Sequence, residues 1–213
     1  MPRQVDHEER RRHIAEAVCA LIDAQGLEGV TLRDVAARAE VSMGAVQRCF
    51  RSKDEMLRFA LAHIGEQVTE RARARLLAAP AQSAASTVGH VVGEVALLRE
   101  EHRAQARTWL AFLAAAAVDP ALAAGLRDGY ADLEGLLTRL VAEASAAGDT
   151  ASGGAAPVDA ASDGVAPVDA RGEARTLLAL ADGLTAHVLI GHRTAREAEE
   201  LLHAHLARLW ARG

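Results

Sequence analysis

Aromatic side chains are nearly missing from this sequence: three Phe, two Trp and one Tyr make up 3% of 213 residues. Sheets draw on aromatic and β-branched residues. Their scarcity, beside an abundance of alanine and leucine, favours helices. Cysteine is as rare. Cys19 and Cys49 are too few for a disulfide framework and have no zinc-finger spacing, and two free thiols fit a reducing cytoplasm. No long hydrophobic run occurs. The longest, "LAFLAAAAV" at 110–118, is too short to cross a bilayer. The opening "MPRQVDHEERRRH" has no apolar segment of the kind a secretion signal needs. A cytoplasmic protein without membrane contact is therefore expected. Nor is there an excess of positive charge. The formal net charge of −5 excludes a protein that coats nucleic acid with its whole surface.

Catalytic patterns are missing too. There is no nucleophile elbow, phosphate-binding loop or paired-carboxylate motif. His203 and His205 stand two apart on an expected helix, so their imidazoles diverge by about 200° and chelate poorly. His187 and His192 are also poorly spaced. No metal, cofactor or enzymatic activity is expected. The alternative is an all-α enzyme built from scattered histidines, or a ligand-binding protein whose N-terminal helices leave DNA alone.

What the chain does have is apolar content, 50% of its residues, which allows a sizeable core. Helical periodicity runs through nearly all of it. Residues 8–25 put Ile14, Val18, Leu21 and Ile22 on one face and reach Gly26, a helix stop. Short helices are predicted over 32–39 and 43–50, and a long one over about 53–78, before Pro80. Others are predicted over about 83–99, 101–118, 120–147, 172–190 and 195–211, giving about nine helices in an all-α fold. One segment breaks the rhythm. "GDTASGGAAPVDAASDGVAPVDARG" at 148–172 is rich in Gly, Ala, Ser, Asp and Pro and repeats "APVDA". Its composition cannot bury a core, so a flexible insert over 148–171 is expected.

Helix starts are the sharpest signal. In Val30-Thr31-Leu32-Arg33-Asp34-Val35 the Thr31 hydroxyl can accept from the Asp34 N–H while the Asp34 carboxylate reaches back and Val30 packs on Val35. Ser42 repeats the logic with Val41 and Val46, and Ser52 repeats it with Glu55. Helix, three-residue turn, helix is helix-turn-helix spacing. At 100° per residue Val46 and Phe50 fall on one side of the third helix, with Met43 nearby, and Gly44, Gln47, Arg48 and Arg51 on the other. The second set suits a DNA groove. Arg pairs bidentately with guanine, Gln with adenine, and Gly lets backbones approach. Residues 41–53 hold Arg48, Arg51 and Lys53 and no acid. Thr31, Ser42 and Lys53 stand at helix N-termini, where hydroxyls, free N–H groups and a cation can hold phosphates. The "RRR" at 10–12 offers further cations. A merely solvated face on a three-helix bundle is the plain alternative.

"VTLRDVAARAEVSMGAVQRCFRSKDEML", residues 30–57, resembles the DNA-binding domain of the TetR family of transcriptional regulators, and "RRHIAEAVCALIDAQGLEG" resembles that family's first helix. The family's usual A-G-V-S-x-G-x-[LIV]-Y-x-x-F-x-[SN]-K appears here with Glu40 in place of the turn glycine and Gln47 in place of the tyrosine. The resemblance implies DNA-facing roles for Thr31, Arg33, Ser42, Met43, Gly44, Ala45, Gln47, Arg48 and Lys53; the helical face adds Arg51. It divides the chain into a DNA-binding domain at 1–52 and a ligand-binding and dimerisation domain at 53–213. "RTWLAFLAAAAVDPALAAGLRDGYADLEGLLTRLVAEA", 107–144, and "LLALADGLTAHVLIG", 177–191, resemble the helical C-terminal half of the branch grouped with the choline-responsive repressor BetI.

That architecture implies an unknown small-molecule effector, with His63, His90, Glu94, His102, Arg107, Trp109, Phe112, Tyr130 and His187 as candidate pocket residues. A homodimer is expected on physical grounds as well. Residues 177–190 are apolar nearly all round and need burial on more than one side, so Leu177, Leu180, Leu184 and Val188, with Leu202, Leu206 and Leu209 of the last helix, are expected at a four-helix interface. Such a dimer would present two reading helices to a palindromic double-stranded operator.

Overall fold

The computed structural model describes residues 2–78, 83–152 and 168–211. Among them are nine α-helices and no strand: α1 Pro2–Gln25, α2 Leu32–Arg38, α3 Met43–Cys49, α4 Lys53–Ala78, α5 Ala84–Val95, α6 Arg103–Ala116, α7 Pro120–Ser152, α8 Ala170–Leu189 and α9 Ala195–Trp210. A short 3-10 turn, Glu100–His102, precedes α6.

Side-chain caps set most of the starts. Thr31, Ser42, Ser83, Asp169 and Thr194 each accept a first-turn backbone N–H, and Thr194 forms a full capping box with Glu197. Losing one such cap costs about 1 kcal/mol. Gly26, at φ +79, ends α1 as expected, and Gly191, at φ +72, follows α8. Both are left-handed positions that a side chain would strain.

The periodicity misplaces several boundaries. α1 starts at Pro2, six residues before the start expected at 8. The helix expected over 83–99 stops at Val95, because Leu97 turns to φ +47 and its N–H bonds the Glu94 carbonyl at 3.4 Å. That turn buries both Leu97 and Leu98. Within the insert expected over 148–171, α7 runs on to Ser152 and α8 already starts at Ala170. The rest of the expected insert, 153–167, lies outside the described residues.

The chain packs as two compact units, residues 1–69 with 101–129, and residues 70–100 with 130–213. In the first, Ile14, Val18, Val30, Val35, Val46, Phe50, Met56 and Ile64 are buried together with Phe112 of α6. α6 is fastened to α1 there. The Thr108 hydroxyl donates to the Cys19 carbonyl at 3.2 Å, and Arg107 meets Asp23 at 2.5 and 3.1 Å. This division of packing differs from the functional division expected after residue 52, because α4 up to Thr69 and all of α6 belong with α1–α3. The second unit has its own core, in which Val88, Val91 and Val92 of α5 join Leu137 and Val141 of α7, Leu177 and Leu184 of α8, and Leu202 and Leu206 of α9. A fully buried side chain of this size contributes about 1.5–3 kcal/mol.

Candidate functional site

α2 and α3 stand on their caps much as the sequence suggests. The Asp34 N–H donates to the Thr31 hydroxyl at 3.2 Å. The reciprocal bond differs, however: the Thr31 hydroxyl donates to the Asp34 carboxylate at 2.6 Å. The Ala45 N–H donates to Ser42 Oγ at 3.2 Å. Between the helices, Val41 N–H bonds the Ala36 carbonyl at 3.0 Å and Glu40 N–H bonds the Ala37 carbonyl at 3.2 Å, the paired pattern of a Schellman stop. That stop places Glu40 at φ +53, the strained position a glycine would fill without cost.

On α3, Val46 is buried while Gln47 and Arg48 are exposed. Arg51 is exposed too, but not on the helical face expected for it: α3 ends at Cys49 and the buried Phe50 is extended, so Arg51 lies in the turn before α4. Met43, expected near the core side of this helix, is 40% exposed. Ala45 does not share the outer face. Its side chain is buried. Thr31, Arg33 and Ser42 are exposed, and Lys53 is half-buried at the start of α4. That start carries a cap of its own, with Glu55 N–H on Ser52 Oγ at 3.1 Å. The Glu55 carboxylate accepts from the Arg51 N–H at 2.9 Å.

The triple arginine of α1 splits its duties. Arg10 pairs with Asp6 at 3.4 Å. Arg11 turns inward, its guanidinium carbon 4.8 Å from the Phe50 ring centroid and 4.4 Å from that of Phe59. It also lies 3.6 Å from Glu55. Arg11 is therefore a structural tie between α1 and the caps around α3, a role its place in a charge run conceals.

The nine candidate pocket residues are divided between the two units. In the first, buried His63 meets the Gln67 amide at 3.1 Å, and the Gln105 amide donates to Gln67 Oε1 at 3.2 Å. His102 is buried 3.6 Å from the Glu101 carboxylate. Phe112 is core, Trp109 is half-buried, and Arg107 is engaged by Asp23. In the second unit, His90 contacts the Ser86 carbonyl of its own helix at 3.3 Å. The Tyr130 hydroxyl donates to the Asp182 carboxylate, and burial together with that carboxylate pushes the phenol pKa up. His187 packs edge-on against His192, centroids 4.9 Å apart. Glu94 is 1% exposed and faces Arg75 at 2.7 Å, Arg71 at 3.1 Å and Arg99 at 3.5 Å. No group of His, Cys, Asp or Glu among the described residues could hold a metal ion.

Residues 14–59 match the family model described as bacterial regulatory proteins of the tetR family, and residues 84–211 match the C-terminal model of the BetI-type transcriptional repressor. The second match alone spans more than half of the chain.

This chain belongs to the TetR family of transcriptional regulators.

Curated relatives of the TetR-family chain include the HTH-type transcriptional regulator PksA of Bacillus subtilis (strain 168), 45% identical over 33% of this chain and 35% of that one. The regulator BetI of Paraburkholderia phymatum is 34% identical over 57% of this chain and 62% of its own length. These matches reach about a third to three fifths of the curated relatives. Among solved structures, a transcriptional regulator from Rhodococcus sp. Rha1 is 25% identical with a TM-score of 0.73, covering 93% of this chain and 95% of that one. A regulator from Saccharomonospora viridis in complex with choline is 22% identical with the same TM-score of 0.73, covering 92% and 95%. The family is one of regulators and not enzymes, which sets aside the all-α enzyme alternative.

The leucines expected at a dimer interface need correcting. In this TetR-family chain Leu177, Leu184, Leu202, Leu206 and Leu209 are 0–6% exposed within a single protomer. They belong to the core that α8 and α9 build with α5 and α7, so they have almost no area left for a partner. Leu180 and Val188 are only partly buried. The apolar surface these helices leave outside comes instead from Ile190, 76% exposed, and Leu201, 42% exposed. Ala179 and Gly183 of α8 and Ala204 of α9 are exposed too. Apolar periodicity identifies buried positions, but not which chain covers them.

Sequence reasoning also missed Arg71, Arg75 and Arg99. Arg71 and Arg75 lie one turn apart on α4, and Glu94 is the one Asp, Glu, Lys or Arg in the stretch "AASTVGHVVGEV" of α5. A lone acid in an apolar helix is the signal that could have prompted a search for its cations.

Proposed function

We propose that the protein is a ligand-responsive, DNA-binding repressor that acts in the cytoplasm as a homodimer on a palindromic operator and is released from it by a small molecule. One observation carries this reading: a capped α3 whose exposed residues include Gln47 and Arg48, anchored by buried Val46 and by Phe50 at its C-cap, with exposed Arg51 just beyond it. Gln47 and Arg48 have the geometry to read base edges, and Thr31, Ser42 and Lys53 the chemistry to hold phosphates. Residues 1–52 are the DNA-binding part of this scheme, and 53–213 carry effector binding and dimerisation.

The dimer face we assign is the outer side of α8 and α9, centred on Gly183, Ile190, Leu201 and Ala204, with Leu180 and Val188 at its margin. Small residues there would let helices of two protomers approach closely, and a two-fold axis would repeat the reading helix in successive major grooves. No helix among the described residues is long and apolar enough to cross a membrane.

A gel shift of the full chain on DNA from upstream of its own gene, with unrelated DNA as competitor, tests the proposal. Retardation of the upstream fragment that excess competitor does not abolish is expected. Equal competition by unrelated DNA would overturn the operator reading.

A further inference from the structure

Glu94 is buried deep in α5, and its surroundings are built from more cations than a carboxylate needs. Arg75 Nε lies 2.7 Å from its Oε1, and Arg71 Nε donates to its Oε2 at 3.1 Å. Arg99, just past the Leu97 turn, approaches Oε1 at 3.5 Å. One guanidinium neutralises one carboxylate. A second held beside it adds like-charge repulsion unless another anion shares the site.

A second observation points the same way. Arg71 Nη2 is shut off from solvent and finds no hydrogen-bond partner among the described residues. A buried donor left unpaired costs about 1–3 kcal/mol, and more on a charged group. The site is nevertheless reachable, since the side chains of Arg71, Arg75 and Arg99 are 31%, 39% and 32% exposed. The arrangement is a cluster of three partly exposed arginines around a buried carboxylate, with one idle donor. An aromatic cage for a cationic ligand has little to draw on in the second unit: its aromatic residues are Tyr130, which is bound to Asp182, and Trp210, which packs against the core.

We propose that Arg71, Arg75 and Arg99 form the recognition point for a small organic oxyanion, a carboxylate or phosphate group that accepts from Arg71 and shares the arginines with Glu94. The effector of this regulator is then an anion. That last step rests on the regulator reading, whereas anion binding at the cluster does not. Glu94 acts as an internal competitor. It holds the arginines in place when the site is empty and limits how tightly a ligand is held.

Calorimetric titration of the full chain with citrate, benzoate and inorganic phosphate, at ionic strength matched with chloride, tests the site. Tetramethylammonium chloride serves as the cationic control. At least one oxyanion is expected to bind with a Kd below about 1 mM, and the cation is not. Arg71→Gln should weaken that binding roughly tenfold or more, the loss of one charge-assisted hydrogen bond. Glu94→Gln should tighten it by about threefold or more, because the internal competitor is gone. This second variant keeps the test decisive if Arg71→Gln folds poorly. Failure of all three oxyanions to bind, or equal affinity in wild type and both variants, would overturn the site. The same anions are then added to the protein on its upstream DNA. Release there supports the effector role, whereas binding without release overturns that role and leaves the site standing. If the protein does not bind the DNA at all, the regulator reading fails while the titrations still decide the site.

Discussion

Arg11 lies over the ring of Phe50, its guanidinium carbon 4.8 Å from the ring centroid, so a residue of the first helix braces the residue that ends the third. Phe59 takes the other contact at 4.4 Å, and Glu55, whose carboxylate holds the Arg51 N–H, stands 3.6 Å away. Cation–π contacts contribute about 0.5–2 kcal/mol according to their exposure. Arg11→Ala should therefore lower stability by roughly 1–2 kcal/mol in urea unfolding. It should also weaken DNA binding at temperatures where the chain is still folded. Arg11→Lys should recover part of both. A loss confined to salt-dependent DNA binding, with stability intact, would instead place Arg11 on phosphate.

Glu40 bears a conformational strain that its side chain does not need. At φ +53 a residue with a Cβ costs about 1 kcal/mol or more relative to glycine. Glu40→Gly should raise stability by roughly 0.5–1 kcal/mol despite the added freedom of the unfolded chain. Thermal unfolding of the two proteins decides it. A lower midpoint for the glycine variant would mean that the Glu40 side chain makes a contact the turn depends on.

Cys19 should be unreactive in the folded protein. Burial, and then the charge of Glu16, push its thiol pKa up to about 12, so at pH 8 only about one molecule in ten thousand carries the thiolate that attacks disulfide reagents. By exposure Cys19 is half-buried, and Cys49 is buried. Both thiols should react with an aromatic disulfide reagent only after denaturation. The sign of the pH effect follows. Above about pH 9 the unfolded chain releases the Cys19 proton and the folded one retains it, so stability falls as pH rises towards 12. Cys19→Ala should flatten that alkaline limb.

The corrected dimer face makes its own prediction. Leu201→Glu adds charge at a position 42% exposed in the protomer and should cost the fold little. Sedimentation at micromolar concentration should show a dimer for the wild type and a shift towards monomer for the variant. A monomeric wild type would remove the dimer from the account. An unshifted variant would move the interface off this face.

The helix starts and the exposed side of α3 were legible because three independent signals agree there. The capping residues Thr31, Ser42 and Ser52 mark where helices begin, periodicity separates Val46 and Phe50 from Gln47 and Arg48, and the family pattern covers the same stretch. Each signal is local, within one turn or two. What failed is what depends on distant partners. Arg11 meets Phe59, and Glu94 meets Arg71, across stretches no periodicity spans. Leu177 and Leu202 were correctly read as buried, yet a hydrophobic pattern cannot tell a protomer's own α5 from a partner's helix. The end of α5 was missed because Leu97 takes a left-handed turn without the glycine that usually announces one.

The central claim is that α3 reads DNA through Gln47 and Arg48. Fluorescence anisotropy on a labelled duplex from upstream of the gene, for wild type and Gln47→Ala/Arg48→Ala, tests it most directly. A bidentate base contact contributes about 1–3 kcal/mol of discrimination. The double variant should therefore lose roughly tenfold or more in affinity for this duplex, while its weak, salt-sensitive binding to unrelated DNA changes far less. Unchanged affinity and unchanged preference for the upstream duplex would contradict the account, because the exposed face of α3 would then not be the surface that reads the operator.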